Sequence, residues 1–359
     1  MKTKIGRALG ICMLVGCALL CVACGQAQEA DKTTSEGVDT PIQVSYAQYS
    51  GSHGSLFLAE GDSVAVISPS ALPSQKQVDA TVEGLKQWGY NPVQGKHVCE
   101  ENRTLDDCIE DLTWALEDPS IKAIFCVRGG YGVSEVMDAI PLDLIASSDK
   151  LIIGYSDITA CHSAWTAAGL PSVYGSMSAT FIDLPKECAE AEKRMLGGEM
   201  PVYTCEANGL CIQGEADGVL IGGNLSTFTG VLGTAYDCTK IDEPYILFVE
   251  DVEEDIQHVH RYLTILDHLG VLDNAAGIVI GEWTDLPPID DGDFSGDSRG
   301  GEFASVNEMI VREFADDLKA PVAFGFPTGH GEINYPLLLG ERVHLSVSDG
   351  SYTLDWSQG

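Results

Sequence analysis

The strongest constraint on this chain is an alternation of short apolar runs with helical stripes. Residues 63–68 (SVAVIS) form an unbroken apolar run, and Val78, Val82 and Leu85 then mark one face of a helix opened by Ser74 and closed near Gly89. Leu105, Ile109, Leu112 and Leu116 make a second helical stripe, and residues 123–127 are a β-branched and aromatic run. A short helix over 133–140, a buried strand over 151–154 and a helix over 158–168 continue the pattern. Strands alternating with helices predict an α/β fold, a parallel sheet with helices on both faces. Chemistry in such a sheet belongs in loops at the carboxyl ends of strands. Two loops qualify, Arg128-Gly129-Gly130-Tyr131-Gly132 and Gly154-Tyr155-Ser156-Asp157.

At 359 residues the chain is long enough for two domains of ordinary size. Residues 46–190 read as the first domain and 191–213 as a linker, with 186–199 helical. A second domain over 214–359 opens near Gly222-Gly223-Asn224-Leu225. Its expected elements are strands at 245–249, 277–280, near 321–325, 342–347 and 351–355, with helices over 256–269 and 303–318. That half is α/β with more turns. Residues 25–45 are polar and Ser/Thr/Gln-rich, a tether, with order beginning near Leu56.

The first 24 residues carry Lys2, Lys4 and Arg7, then an apolar run from Ala8 to Ala23, then Cys24 and Gly25. This is an export signal rather than a fold element, since its apolar run falls short of the roughly 20 residues a membrane-spanning helix needs. Ala23 before Cys24 is similar to a bacterial lipobox, which makes Cys24 the expected lipidated first residue of the mature chain. Leu14-Val15-Gly16-Cys17 is the better lipobox by residue type but leaves a shorter apolar run after Arg7. An ordinary signal peptide and a freely secreted protein is the other reading. Either way the protein is expected outside the cytoplasm. With Lys+Arg 20 against Asp+Glu 54 and a net charge of -34, the surface repels phosphate backbones, which argues against nucleic-acid binding.

Gly154-Tyr155-Ser156-Asp157-Ile158 places a serine at a strand-to-helix junction, where its hydroxyl is exposed and the next backbone N–H points outward. Ile158 replaces the last glycine of G-x-S-x-G, and on local sequence Ser156 serves equally as a helix N-cap. The glycines after Arg128 lack the spacing of a dinucleotide fingerprint and the Lys-Ser/Thr of a phosphate-binding loop. They let backbone N–H groups approach a developing oxyanion, and they also suit a plain βα turn.

Together these pieces resemble the LD-carboxypeptidases, which include the muramoyltetrapeptide carboxypeptidases and the microcin C self-immunity proteins. The resemblance rests on residues 114–132 (WALEDPSIKAIFCVRGGYG), 153–160 (IGYSDITA), 222–225 (GGNL), 247–252 (LFVEDV) and 325–331 (GFPTGHG), and covers about residues 56–347. It implies an N-terminal Rossmann-like domain, a C-terminal α/β domain and an active site in the cleft between them. It also implies a Ser-His-Glu triad that hydrolyses the amide between an L-centre and a terminal D-amino acid. Position by position, the nucleophile is then Ser156, the base His330 and its orienting carboxylate Glu250. The Gly130 and Asp157 amides form the oxyanion hole, with Gly129 the alternative to Gly130. Tyr174-Gly175-Ser176 stands where many members have His-Gly-Pro.

The chemistry agrees with these positions. A serine hydroxyl needs a nearby base, and a buried carboxylate fixes the histidine tautomer. Of eight histidines only His330 sits in a glycine-bracketed loop after a strand, while His258 and His260, two apart on a helix, face different ways. Asp251, Glu253 and Glu254 compete with Glu250 and read as a solvated helix start. Arg128 is the candidate for holding the substrate's terminal carboxylate, or it braces its own loop.

The expected enzyme is a serine carboxypeptidase releasing D-Ala from murein tetrapeptide, without metal or organic cofactor, and a homodimer by resemblance. The alternatives are a self-immunity peptidase acting on a peptide–nucleotide antibiotic and a non-catalytic wall-binding lipoprotein. Residues 291–302 match the spacing of a calcium loop, but Ser298, Arg299 and Pro287-Pro288 fit an acidic surface loop better. Four of the 12 cysteines lie in the signal; of the rest, Cys205 and Cys211 are spaced to close a short disulfide, and Cys126 reads as a buried thiol.

Overall fold

The computed structural model describes residues 42–177, 184–287, 303–314 and 318–358. Cys17, Cys24, the expected export signal over residues 1–24 and the 291–302 loop lie outside the described residues. Two sheets organise the rest. In the first, β2 (Ser63–Ile67), β3 (Asn91–Gln94), β4 (Ile121–Cys126), β5 (Leu151–Gly154) and β6 (Ser172–Tyr174) run parallel in the order β6-β5-β4-β2-β3. Strand β12 (Leu337–Leu339) closes the β6 edge antiparallel. β2, β4 and β5 are buried almost throughout, which is why they read as continuous apolar runs rather than alternations.

The helices of this half start where side chains can satisfy orphan N–H groups. Ser74 and Gln77 form a reciprocal capping box at the start of α1 (Gln75–Gln87), and Thr104 and Asp107 do the same for α2 (Leu105–Glu117). The far end of α2 is capped from another element. The buried Lys150 Nζ donates to the carbonyls of Ala115, Leu116 and Asp118 at 2.7, 2.7 and 2.8 Å, where helix carbonyls lack partners and a positive charge complements the dipole. Helices α3 (Val133–Met137), α4 (Leu142–Ser148) and α5 (Thr159–Ala167) complete the half.

The second sheet has eight strands, β1 (Ile42–Gln48), β7 (Glu199–Glu206), β8 (Gly214–Asn224), β9 (Tyr245–Val252), β10 (Ala275–Thr284), β11 (Val322–Phe324), β13 (Arg342–Val347) and β14 (Ser351–Asp355), in the order β1-β7-β14-β13-β8-β9-β10-β11. β8 to β11 are parallel and the other pairs antiparallel. The sheet carries α6 (Lys186–Leu196), α7 (Leu225–Val231), α8 (Ile256–His268), α9 (Val271–Asn274) and α10 (Val306–Glu313) along the chain. No helix among the described residues is long and apolar enough to cross a membrane.

The two sheets do not divide the chain where composition suggested. Residues 42–45, expected as tether, open β1, which pairs with β7 inside the segment expected as linker. β12 returns from the second half to finish the first sheet. β1 and β12 are edge strands and β12 is three residues long, so their existence depends on partners distant in sequence. Cys205 and Cys211 form no disulfide. Instead the Cys211 thiol donates to Asn208 Oδ1 at 3.6 Å and accepts from the Phe324 amide at 3.5 Å, while Cys126 is a fully buried thiol.

Candidate active site

Three strand ends converge. β5 ends at Gly154, and Ser156 follows with φ +64, in a left-handed conformation that a residue with a Cβ rarely adopts. Holding it there costs about 1–3 kcal/mol, and it aims the side chain away from the strand, the geometry that a nucleophile elbow uses. A Cβ on Gly154 would crowd this turn, lying 3.0 Å from Ile158 Cγ1 and 3.2 Å from Cys126 Cβ. Ile158, the departure from G-x-S-x-G, fills the space the turn leaves.

The loop after β4 lies against the serine. A Cβ on Gly129 would sit 2.9 Å from Ser156 Cβ, and one on Gly130, at φ +138, would strike Ala71 Cβ at 2.5 Å. Both positions therefore require glycine, and the loop's backbone reaches Ser156 unshielded. Asp157 has a further role that its sequence context concealed. Its buried carboxylate accepts from Ser70 Oγ at 2.5 Å and Val133 N at 3.2 Å, tying three loops together. Burial raises its pKa against those two hydrogen bonds.

Glu250 stands near the end of β9, fully buried, opposite Asn224 of β8. On its other side β10 bulges: Ile280 pairs with Val249 and Trp283 with Asp251, so Gly281 and Glu282 together face Glu250. The bulge admits the histidine loop. Glu282 N donates to Thr328 O at 3.1 Å, and a Cβ on Gly281 would come within 2.6 Å of that oxygen. His330 Nδ1 then meets Glu250 Oε2 at 2.8 Å. A carboxylate only accepts, so the ring proton sits on Nδ1 and leaves Nε2 a lone pair.

The other Glu250 oxygen, Oε1, accepts from the Tyr174 hydroxyl at 2.6 Å, and Ser156 N reaches that hydroxyl at 3.4 Å. The β5–β6 register sets this up by placing Tyr174 beside Gly154. Beneath the elbow, His162 Nε2 donates to the Gly154 carbonyl at 2.9 Å while Nδ1 accepts from Ser172 Oγ at 2.8 Å. Burial pushes this histidine down to about 4, so it stays neutral and structural.

Electrostatically the site is a cluster of carboxylates around one imidazole. Burial works against a charged His330, but the charge and hydrogen bond of Glu250, with Asp251 and Glu253, outweigh it and raise its pKa. Asp251 departs from expectation. It is no solvated helix start but a buried residue of β9, bonded by Asn224 Nδ2 at 2.7 Å and Ser226 N at 2.9 Å. The helix that follows is capped by Asp255 instead. Burial first, then the Glu250 charge, push Asp251 up to about 7, and Glu282 is pushed up to about 7 for the same two reasons.

Ser156 and Asp157 open on a cleft of about 500 Å³ whose walls include Gly130, Asn224, Ser226 and Asp251. Glu250, His330 and Arg128 stand outside that lining. Arg128 is exposed, and its Nη1 donates to the Leu72 carbonyl at 3.1 Å. His258, as expected, is unrelated to the site and pairs with Glu254 at 3.0 Å.

Among the described residues, His97, Asp107 and Glu110 have the composition of a metal site. These groups already pair with neighbours, although His97 Nε2, 3.3 Å from Glu110 Oε2, makes no hydrogen bond. Glu110 takes Lys96 Nζ at 3.0 Å, Asp107 takes the Thr104 amide at 2.6 Å, and Glu100 meets His97 Nδ1 at 2.5 Å. An ammonium and an imidazole held by carboxylates is an ion-pair network in which the lysine already supplies the cation.

Comparison with known proteins places this geometry. Residues 64–175 match the model of the LD-carboxypeptidase N-terminal domain, and residues 217–345 that of the LD-carboxypeptidase C-terminal domain. The chain belongs to the LD-carboxypeptidase family. A putative carboxypeptidase of Streptomyces coelicolor is 32% identical over 310 residues, covering 83% of this chain and 94% of the relative. The murein tetrapeptide carboxypeptidase of Pseudomonas aeruginosa is 29% identical, covering 79% and 92%. The crystal structure of muramoyltetrapeptide carboxypeptidase from Oxalobacter formigenes superposes with a TM-score of 0.71 at 25% identity, covering 82% of this chain and 98% of that one. By family the chain is thus a hydrolase of the carboxypeptidase type with the two-domain α/β fold.

Proposed function

We propose that this LD-carboxypeptidase is a serine-type enzyme that releases the terminal D-Ala of murein tetrapeptide, with Ser156 as nucleophile, His330 as base and Glu250 as the orienting carboxylate. The observation that carries this reading is the 2.8 Å bond from His330 Nδ1 to a fully buried Glu250, whose other oxygen is linked through the Tyr174 hydroxyl to the amide of a serine held at φ +64.

Ser156 Oγ attacks the scissile carbonyl carbon as its proton passes to His330 Nε2. Glu250 stabilises the imidazolium that forms. The oxyanion is received by the Gly130 and Asp157 amides, which the loops after β4 and β5 supply. Collapse of the tetrahedral intermediate breaks the C–N bond, and His330 returns its proton to the departing D-Ala amine. Water, deprotonated by the same imidazole, then hydrolyses the acyl-enzyme and restores the serine.

Arg128 is the proposed partner of the substrate's free carboxylate, supported by its exposure and by its place next to Gly129. The export signal supports an extracytoplasmic protein anchored through a lipid on Cys24.

The test is mass-spectrometric. The mature protein incubated with murein tetrapeptide is expected to release one terminal D-Ala, and the Ser156→Ala variant to release none. Equal release by both removes Ser156 from the mechanism, and release by neither removes the substrate assignment.

A further inference from the structure

One phenol touches both halves of the site. The ring of Tyr174 is fully buried, packed at 5.3 Å from Phe248, 5.5 Å from His162 and 6.2 Å from Tyr155 between ring centroids. Its hydroxyl therefore occupies one place, between Glu250 Oε1 at 2.6 Å and Ser156 N at 3.4 Å. A carboxylate shared by two donors divides its charge between them, so what Tyr174 withdraws through Oε1 His330 does not feel through Oε2.

We propose that Tyr174 is a positioning residue that sets the basicity of His330 by holding half of the Glu250 carboxylate, and that its contact with the Ser156 amide keeps the nucleophile turn in register with the histidine loop. This rests on the reading of Ser156, His330 and Glu250 as the triad. Burial, together with the charge and hydrogen bond of Glu250, raises the phenol well above the ordinary tyrosine range, so it is a donor at every working pH.

The other titratable groups facing this pair are Asp251 on β9, Glu253 on the loop after it, Glu282 on β10, Tyr155 against the His330 ring and His162 against Tyr174. Asp251, Glu253 and Glu282 are acids, which favour the imidazolium when ionised. His162 is neutral. Among the described residues no donor besides Tyr174 and His330 reaches the Glu250 carboxylate. Tyr174 alone in this group therefore opposes the rise of the His330 pKa by a direct bond to Glu250.

The test reads His330 itself, by NMR titration of the labelled imidazole, alongside the pH profile of D-Ala release. Tyr174→Phe is expected to move the His330 titration and the acid limb of kcat up by about 0.5–1 pH unit. It should also lower kcat roughly 10- to 100-fold at neutral pH with KM nearly unchanged. In a Glu250→Gln background the same change is expected to cost less than about 3-fold, because the group it acts through is gone.

Difluorotyrosine placed at 174 keeps the ring and the donor but makes it a stronger acid, so it is expected to shift His330 the other way, which holds the inference to account even where Tyr174→Phe does not fold. An unmoved His330 titration in both variants overturns the inference whatever the activity, as does a full additive loss in the Glu250→Gln background. The titration needs no substrate. A wild-type protein inactive on murein tetrapeptide therefore defeats the proposed function without deciding the role of Tyr174.

Discussion

Replacing Glu250 with Gln tests the electrostatic core of the site, because the two residues have the same shape and differ by one charge. The carboxylate contacts His330 Nδ1 at 2.8 Å with no exposure to solvent, which places the two charge centres about 4 Å apart when the imidazole is protonated. At an effective dielectric of about 20 that separation is worth about 4 kcal/mol, or roughly three decades in rate if it is lost from the transition state. A further loss arises if the new amide turns its NH2 toward His330, since Nδ1 must then accept and Nε2 carries the proton. Asparagine in place of the aspartate of a Ser-His-Asp protease costs about four decades for that reason. The expected fall in kcat is therefore about 10³- to 10⁴-fold.

The sign of the pH response is a separate check on the same substitution. Burial lowers the His330 pKa and the Glu250 charge raises it, with the charge prevailing above the ordinary 6.5. With the charge gone only burial and weaker neighbours remain, so the titration of His330 is expected to fall below 6.5 and the residual activity to extend to lower pH. The assay is D-Ala release from murein tetrapeptide across pH 4.5–9, with NMR titration of His330 and a thermal melt to show that the variant is folded. A loss under about tenfold, or an acid limb that stays in place, refutes the assignment of Glu250 as the orienting carboxylate.

Two further substitutions probe the scaffold. Gly130→Ala is expected to cut kcat about 10²-fold with little change in KM, because its Cβ meets Ala71 Cβ at 2.5 Å and its φ of +138 disfavours any side chain; wild-type kcat in that variant excludes Gly130 from the oxyanion hole. Glu192, fully buried with Oε1 unpartnered and Oε2 accepting from Ser176 N at 2.9 Å, is pushed up from 4.5 to about 7 by burial. A folded-state pKa above the unfolded one stabilises at low pH and loses that contribution as pH rises toward 7. Urea unfolding at pH 5 and pH 8 should show Glu192→Gln flattening the decline by roughly 2–3 kcal/mol, and an identical slope in both proteins contradicts the burial argument.

The parts of this protein legible in its sequence are those governed by neighbours in the chain. The strands at 63–67 and 121–126 announce themselves as apolar runs because both faces are covered, and α1 and α2 begin at reciprocal caps three residues apart. The loop sequences around Ser156 and His330 were likewise recognisable, since their glycines answer local demands of turn and close approach. β1, β7 and β12 were not. A three-residue strand such as Leu337–Leu339 has no periodicity to read, and it exists because β6 offers it an edge.

The limit is sharpest at Glu250-Asp251. Adjacent residues of a strand point to opposite faces, and the sequence shows two acids in a row without showing which face the histidine loop will cover. The bulge at Gly281-Glu282, formed by pairing between β9 and β10, admits that loop over Glu250 and leaves Asp251 to Asn224 and Ser226. Residues 247–252 point to Glu250 only through their resemblance to the family, and their physical chemistry alone leaves the choice between the two acids open. The sequence by itself determined the alternating α/β plan, the helix starts and the residue types that the proposed acyl transfer calls for, because each depends on contacts within a few residues. Which carboxylate meets His330, that Tyr174 takes its second oxygen, and that Asp251 and Glu282 are pushed up to about 7 were decided only by the tertiary structure. Strand register and burial arise from segments that are far apart in the chain.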